Sequence, residues 1–344
     1  MRRAGRFAIM RAVLLPPPHP LPAPVPWLRH HPRDWRAGTL DIPGLTAAAA
    51  ALSQRPGFDE GMRSFADGWQ AGYNATPVLS SVMRNNARYV LLLACLWLDH
   101  QRDASLPGVS ITPGRVLDFY ARLDHRLVEG GASRIKTILA HARVAGLLQP
   151  APGPGDARLR PLEPTPLLRR AMAGYVQGFL GGIAPTLPLP ATPQQMVETP
   201  GFVAELFTYR MLPLLHERFA ITRGLPAMNW ITNREKGYPQ LLSLVRHMQV
   251  QPDGQVHTMG WPQQIAERVG VSRGTARNFL LAAVEQGWLE PLGPRHWRLR
   301  PAFHAELLQW MGREFLWMHT LAVAAWRVCV AASGDTAALP TAPT

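Results

Sequence analysis

The sequence predicts a mainly α-helical protein with small β-hairpins, organised as two similar units in tandem on a scaffold of long helices. Three observations lead there. Apolar residues recur at helical spacing through most of the chain, and basic strand-like segments follow Pro/Gly turns at only a few places. Residues 129–148 (EGGASRIKTILAHARVAGLL) align without a gap on residues 270–289 (GVSRGTARNFLLAAVEQGWL). The repeat unit, roughly 125 to 140 residues, is too long for a solenoid and suits a pair of ordinary domains.

Taken in order, residues 1–55 are rich in Pro, Arg and Ala, have little periodicity, and are expected to form a disordered arm. The opening stretch looks like a signal peptide, but Arg11 interrupts its apolar run. A proline tract (Pro16, Pro17, Pro18, Pro20, Pro22, Pro24, Pro26) stands where a cleavage site would be. Residues 56–184 are expected to form the first domain, residues 185–200 a Pro-rich linker around Pro185, Pro188, Pro190 and Pro193, residues 201–332 the second domain, and residues 333–344 a loose tail. No uncharged run reaches about 18 residues, the length a bilayer span needs. The nearest, residues 316–333, contains Arg327, so no membrane partner is expected.

In the second unit, residues 256–259 have the alternation of a short strand. Pro262 suits a first helical position, and Ile265, Ala266 and Val269 follow at helical spacing. Gly270-Val271-Ser272 reads as a tight turn: Gly allows positive φ, Val plugs the core, and Ser caps the next helix. That helix has one apolar stripe, Ala276, Phe279, Leu280, Ala283 and Val284. Its other face opens with Ser272, Arg273, Thr275, Arg277 and Asn278. Gly287 ends it, and a hairpin carrying Arg295, His296, Arg298 and Arg300 follows. This order is that of a helix-turn-helix with a basic wing. The helix's N-terminal side chains would enter the major groove, with Arg on guanine and Asn on adenine, and the wing would lie along the backbone or minor groove. For any one arginine, a solvated helix face is the plainer use. The whole sequence of elements is what favours DNA.

The first unit repeats the pattern less closely. Thr112-Pro113 starts a helix, Gly130-Gly131-Ala132-Ser133 replaces the Gly-Val-Ser turn, and Ile135, Ile138, Leu139 and Ala142 form the buried stripe. Ser133, Arg134, Lys136, Thr137 and His141 are the candidate DNA contacts on the helix. A long wing, residues 149–160, adds Asp156, Arg158 and Arg160. Arg158-Leu159-Arg160-Pro161 aligns with Arg298-Leu299-Arg300-Pro301, and upstream Tyr89 faintly matches Tyr238.

Charge agrees with this reading. There are 36 Lys+Arg against 23 Asp+Glu, a formal net charge of +13, and only Lys136 and Lys236 are lysines. Such a balance favours a polyanion, nucleic acid before an anionic membrane. An arginine-biased codon usage is the competing explanation. Cys95 and Cys329 sit in apolar helical runs and read as core residues in a reducing cytoplasm. There is no phosphate loop, nucleophile elbow, HExxH or Cys/His cluster. Neither an enzyme, a metal site nor a cofactor is expected. Asp99-His100 and Asp124-His125 are neighbours that do not face one another on a helix.

Two stretches carry a family resemblance: Ser272-Arg273-Gly274-Thr275 running to Gly287-Trp288-Leu289, and Asp156-Ala157-Arg158 followed by Leu162-Glu163-Pro164-Thr165. They resemble the MarR family of winged-helix regulators, over about 70 residues of each unit. The resemblance implies a bacterial, cytoplasmic, sequence-specific transcriptional regulator on double-stranded DNA. It further implies a wing Arg158 that reaches the minor groove with Asp156 steadying it. His296 stands where Asp156 aligns, so Arg298 is expected to be held differently. Family members act as two-fold dimers, and a chain with two copies could supply both halves as an intramolecular pseudo-dimer, or pair as a homodimer. The scaffold would be helices around residues 83–99, 167–180, 202–219 and 303–332. Trp230, Trp310 and Trp317 have two uses open to them: lining a small-molecule effector pocket, or packing the core. Two other readings remain at this point, a plasmid-type replication initiator with tandem winged helices and a winged-helix protein-interaction factor.

Overall fold

The computed structural model describes residues 27–36, 38–101, 111–123, 131–151 and 161–333. Among the described residues helix accounts for 65% and strand for 9%, so the fold is mainly α, as expected. The first half runs through α1 (Ile42–Ser53), α2 (Phe58–Asn74), α3 (Pro77–Val82), α4 (Asn86–His100), α5 (Pro113–Tyr120), α6 (Ala132–Val144), β1 (Leu148–Pro150), β2 (Leu162–Pro164) and α7 (Pro166–Ile183). The second half follows with α8 (Pro193–Glu198), α9 (Phe202–His216), α10 (Pro226–Asn233), α11 (Gly237–Val245), β3 (Gln249–Val250), β4 (Val256–Met259), α12 (Pro262–Val269), α13 (Arg273–Glu285), β5 (Leu289–Gly293), β6 (His296–Leu299) and α14 (Pro301–Ala332).

Local chemistry sets many of the helix starts. Thr112, Thr165 and Thr192 each precede a proline at the first helical position, and each side chain accepts a hydrogen bond from the backbone N–H three residues on. The threonine oxygen satisfies an orphan donor while proline has none to satisfy.

The segments around the two hairpins follow a similar order of elements, α5–α6–β1–β2–α7 and α12–α13–β5–β6–α14. α6 and α13 are matched residue for residue by the alignment of the repeat, and each is followed by a glycine in left-handed conformation, Gly146 (φ 71°) and Gly287 (φ 72°). Beyond the hairpins, Thr165 N–H donates to Leu147 C=O at 3.0 Å, and Arg300 N–H to Trp288 C=O at 2.9 Å. These two bonds are equivalent and set Pro166 opposite Pro301. The alignment of Arg158–Pro161 with Arg298–Pro301 is therefore corrected: Leu162-Glu163-Pro164-Thr165 stands where Trp297-Arg298-Leu299-Arg300 stands. A longer hairpin in the first half misled the alignment, because loop length varies more easily than strand register. The sheets agree. Ile111 bridges Leu162 beside the β1–β2 pair, and the second sheet runs β3-β4-β6-β5, all antiparallel.

The packing between halves is reciprocal. α2 packs on α7 within the first half, and α9 on α14 within the second. Across the halves α2 packs on α11 and α9 on α4, while α1 packs on α14 and α8 on α7. The α2–α7 crossing is close enough to require glycine. A Cβ on Gly178 would lie 2.4 Å from Gly68 C=O, and one on Gly182 2.6 Å from Phe65 Cα. Ion pairs hold the second half against α2: Asp67 accepts from Arg268 at 2.7 Å and faces Arg246 at 2.8 Å.

Two expectations are revised. Residues 27–55 were expected in a disordered arm, yet Trp27, Leu28, Trp35, Leu40, Leu45 and Ala49 are buried and α1 is capped by Asp41. Trp27 and Trp35 both pack against Trp317 of α14. Proline and arginine dominated the composition, but a few large apolar side chains suffice to anchor the segment. Residues 185–200, expected as a linker, contain α8, closed by a capping box between Thr192 and Gln195. α14 is long and apolar enough to cross a membrane by length and composition. In its most apolar 18-residue window 56% is buried against the rest of the chain. Cys95 and Cys329 are buried and not in a disulfide, as expected of core residues.

Candidate nucleic-acid interface

α13 presents its polar face to solvent because its other face is committed. Ala276, Phe279, Leu280 and Ala283 are buried, and Arg273, Gly274, Thr275, Arg277 and Asn278 are exposed. The Ser272 hydroxyl accepts from Thr275 N–H at 3.0 Å and lies 2.9 Å from the Thr275 hydroxyl, which fixes the helix start. Gly270 ends α12 at φ 70°, the tight turn the sequence required. Among the described residues, Arg273 and Arg277 make no hydrogen bond or ion pair. Leu281, 49% exposed, continues their line one turn further, at four-residue spacing. Sequence reasoning passed over Leu281, although its spacing from Arg273 and Arg277 places it on the same face.

The β5–β6 hairpin is less uniformly cationic than expected. Arg298 Nη1 donates to Gln255 at 2.9 Å, and its Nε and Nη2 fork onto Glu290 of the neighbouring strand. Arg300 reaches the same carboxylate at 3.1 Å. Those hydrogen bonds from Arg298 hold the Glu290 carboxyl below its usual range. Arg298 is thus turned across the sheet. The cation left at the hairpin turn is Arg295, whose guanidinium lies 3.7 Å from the centre of the Trp261 ring. His296 meets His257 edge-on at 4.9 Å. Trp261, 39% exposed, and Leu292, 43% exposed, give this end of the molecule apolar surface that motif reading did not single out.

The first half keeps the plan with weaker chemistry. α6 buries Ile135, Ile138, Leu139 and Ala142 and exposes Ser133, Arg134, Lys136 and Thr137. Its N-cap is Gly131, with no side-chain capping bond, where Ser272 stands in the second half. Ser133 lies inside the helix, and its C=O accepts the Thr137 hydroxyl at 3.0 Å. His141 is half-buried, with Arg88 Nη1 3.1 Å from its ring. It is therefore held against α4 and is not part of the open face. Across β1–β2, Gln149 donates to Glu163 at 2.7 Å, the place that Glu290 and Arg298 occupy in the second half. Asp156, Arg158 and Arg160 lie outside the described residues. Among the described residues, no cluster of His, Cys, Asp or Glu has the geometry to hold a metal.

In comparisons with known proteins, no family model, no curated protein and no solved structure matches the chain.

Proposed function

We propose that each half carries a winged helix-turn-helix and that the chain is a sequence-specific DNA-binding regulator, acting as an intramolecular pseudo-dimer. The observation that carries this reading is the α12–turn–α13 unit. Its exposed helix face bears Arg273, Arg277 and Asn278 with no internal partner for either arginine, beside a hairpin with Arg295 at its turn. Arg and Asn on an unobstructed helix N-terminus suit base edges in the major groove. Arg295 braced by Trp261 suits the sugar–phosphate backbone. In this reading α6, with Arg134, Lys136 and Thr137, is the second reading head, and reciprocal packing fixes the two heads on one scaffold. The net charge of +13 supplies the long-range attraction.

The test is a salt series on genomic fragments. Binding through about 6 to 10 phosphate contacts weakens by about 10³ to 10⁵ between 50 and 200 mM salt. A chain whose retention of fragments is flat across that series does not bind DNA in this way. Arg273→Ala and Arg277→Ala should each cost about 1–3 kcal/mol on the preferred sequence and relax discrimination. Arg295→Ala should weaken all sequences alike.

A further inference from the structure

The starts of α5 and α12 differ in one telling place. Each helix opens on a proline, Pro113 and Pro262, and the residue before it is Thr112 in the first half and Trp261 in the second. The Thr112 hydroxyl accepts from Arg115 N–H at 3.2 Å and so caps its helix. Trp261 makes no capping bond and leaves its indole 39% exposed. Threonine is the better cap, so neither capping nor core packing explains the tryptophan. What the indole carries is Arg295, whose guanidinium carbon lies 3.7 Å from the ring centre. At that distance the guanidinium has to lie flat, because an upright one would drive a nitrogen into the ring. Arg295 is exposed, and among the described residues its guanidinium makes no hydrogen bond or ion pair. The backbone beneath the pair is fixed. Gly260 N–H donates to Arg295 C=O at 3.1 Å, and Trp297 Nε1 donates to Gly260 C=O at 3.0 Å. Met259, opposite His296 at the start of β6, and Leu292, beside the hairpin turn, add exposed apolar surface at the same end. Phosphates alone call for cations, not for an indole, a thioether and a leucine around one of them.

We propose that Arg295 stacked on Trp261 is a platform for one unpaired nucleobase, so that the hairpin end of the second half takes DNA that is locally opened or kinked. This rests on the DNA-binding reading and adds to it the state of the DNA that is bound. The flat guanidinium, backed by the indole, offers a base a cationic stacking face. Its N–H edge offers donors to the adjoining phosphate. In a regular duplex every base is already stacked on its neighbours, so only an unstacked base can use the platform. Stacking tolerates any sequence, because every base has a π-face. This contact therefore selects the shape of the DNA, while α13 selects its sequence. The first half has Thr112 at the matching place and lacks the platform, so the two halves engage DNA unequally.

The test uses the full chain and two forms of one labelled duplex of mixed sequence, fully paired or with adjacent mismatches at its centre. The readout is the ratio of the two dissociation constants. The mismatched duplex has already lost the pairing that must be broken to free a base. It is expected to bind about 5- to 150-fold more tightly, the worth of one base stacked on an aromatic side chain. A 2-aminopurine placed at the mismatch should lose fluorescence on binding, as it does when stacked. Trp261→Thr gives the second half the cap of the first. Its melting temperature should hold or rise, while the preference for the mismatched duplex and the quenching disappear. Trp261→Phe keeps a ring and should retain most of the preference. Binding of neither duplex overturns the DNA-binding reading and this proposal with it. Binding of both without preference, or without quenching, overturns this proposal alone. An equal loss on both duplexes in Trp261→Thr, with the preference kept, means that the indole only braces Arg295, and overturns it as well.

Discussion

At the scale of single residues, space and capping decide outcomes that residue type alone does not. Gly174 and Gly178 lie one turn apart on α7 and look interchangeable in sequence. A Cβ at Gly174 meets nothing within 4 Å, whereas one at Gly178 meets Gly68 C=O and the Gly72 backbone below 3 Å. Gly178→Ala therefore has to push α2 and α7 apart, and should cost about 1–3 kcal/mol by overpacking. Gly174→Ala should be neutral or stabilising by up to about 1 kcal/mol, because alanine loses less backbone entropy in a helix. Urea titration of the two variants separates them, and equal midpoints would mean the crossing is looser than described. Capping gives a second contrast. Ser272→Ala removes the bond to Thr275 N–H and should cost about 0.5–2 kcal/mol. Gly131→Ser, at the matching position of the first half, installs a cap where none exists and should gain a few tenths of a kcal/mol.

At the scale of elements, helix starts and α13 were legible because their signals are local. Thr112-Pro113, Pro262 and the Gly270-Val271-Ser272 turn act through neighbours within four residues, and the structure has all three as expected. The β5–β6 hairpin was expected and is present, but which residues pair across the hairpins was not legible, because register depends on the length and conformation of the turn. Nothing local in Arg298 says that Glu290 will stand opposite it, or that Gln149 and Glu163 will take the same two places in the first half. The segment 27–55 was misread because its anchors act at long range, since Trp27 and Trp35 find Trp317 almost the whole chain away. The hairpin's internal pairing has a functional consequence. Glu290 ties down both Arg298 and Arg300. Glu290→Gln removes the charge that holds them, so under the DNA-binding reading it should raise affinity for all sequences and steepen the salt dependence. An unchanged salt slope in filter-binding assays would argue that those arginines do not reach DNA.

At the scale of the whole molecule, burial and reciprocity are the governing facts. His304 on α14 is largely buried, and that burial lowers its pKa below the ordinary 6.5. Its charged form is disfavoured in the folded chain, so the unfolded chain binds the proton more readily as pH falls through about 6.5. Its share of stability is complete above that pH and is lost below it, and His304→Leu should flatten the acid limb of a stability–pH curve. Reciprocal packing bears on assembly. α2 covers α11 while α9 covers α4, and α1 covers α14 while α8 covers α7, so each half completes the other. Such contacts are what two identical subunits would exchange, yet one chain already makes them all. Under the proposed function, such a chain needs no second copy to present two reading heads. Under the proposed function one chain should occupy one operator with two half-sites about one helical turn apart. Native mass spectrometry of the complex should give a 1:1 ratio of chain to duplex. Arg273→Ala with Arg277→Ala should then abolish protection of one half-site, and Lys136→Ala with Thr137→Ala should weaken the other. Two chains on one such duplex, or loss of both half-sites together from either pair of substitutions, would instead mean that the chain pairs with a second copy.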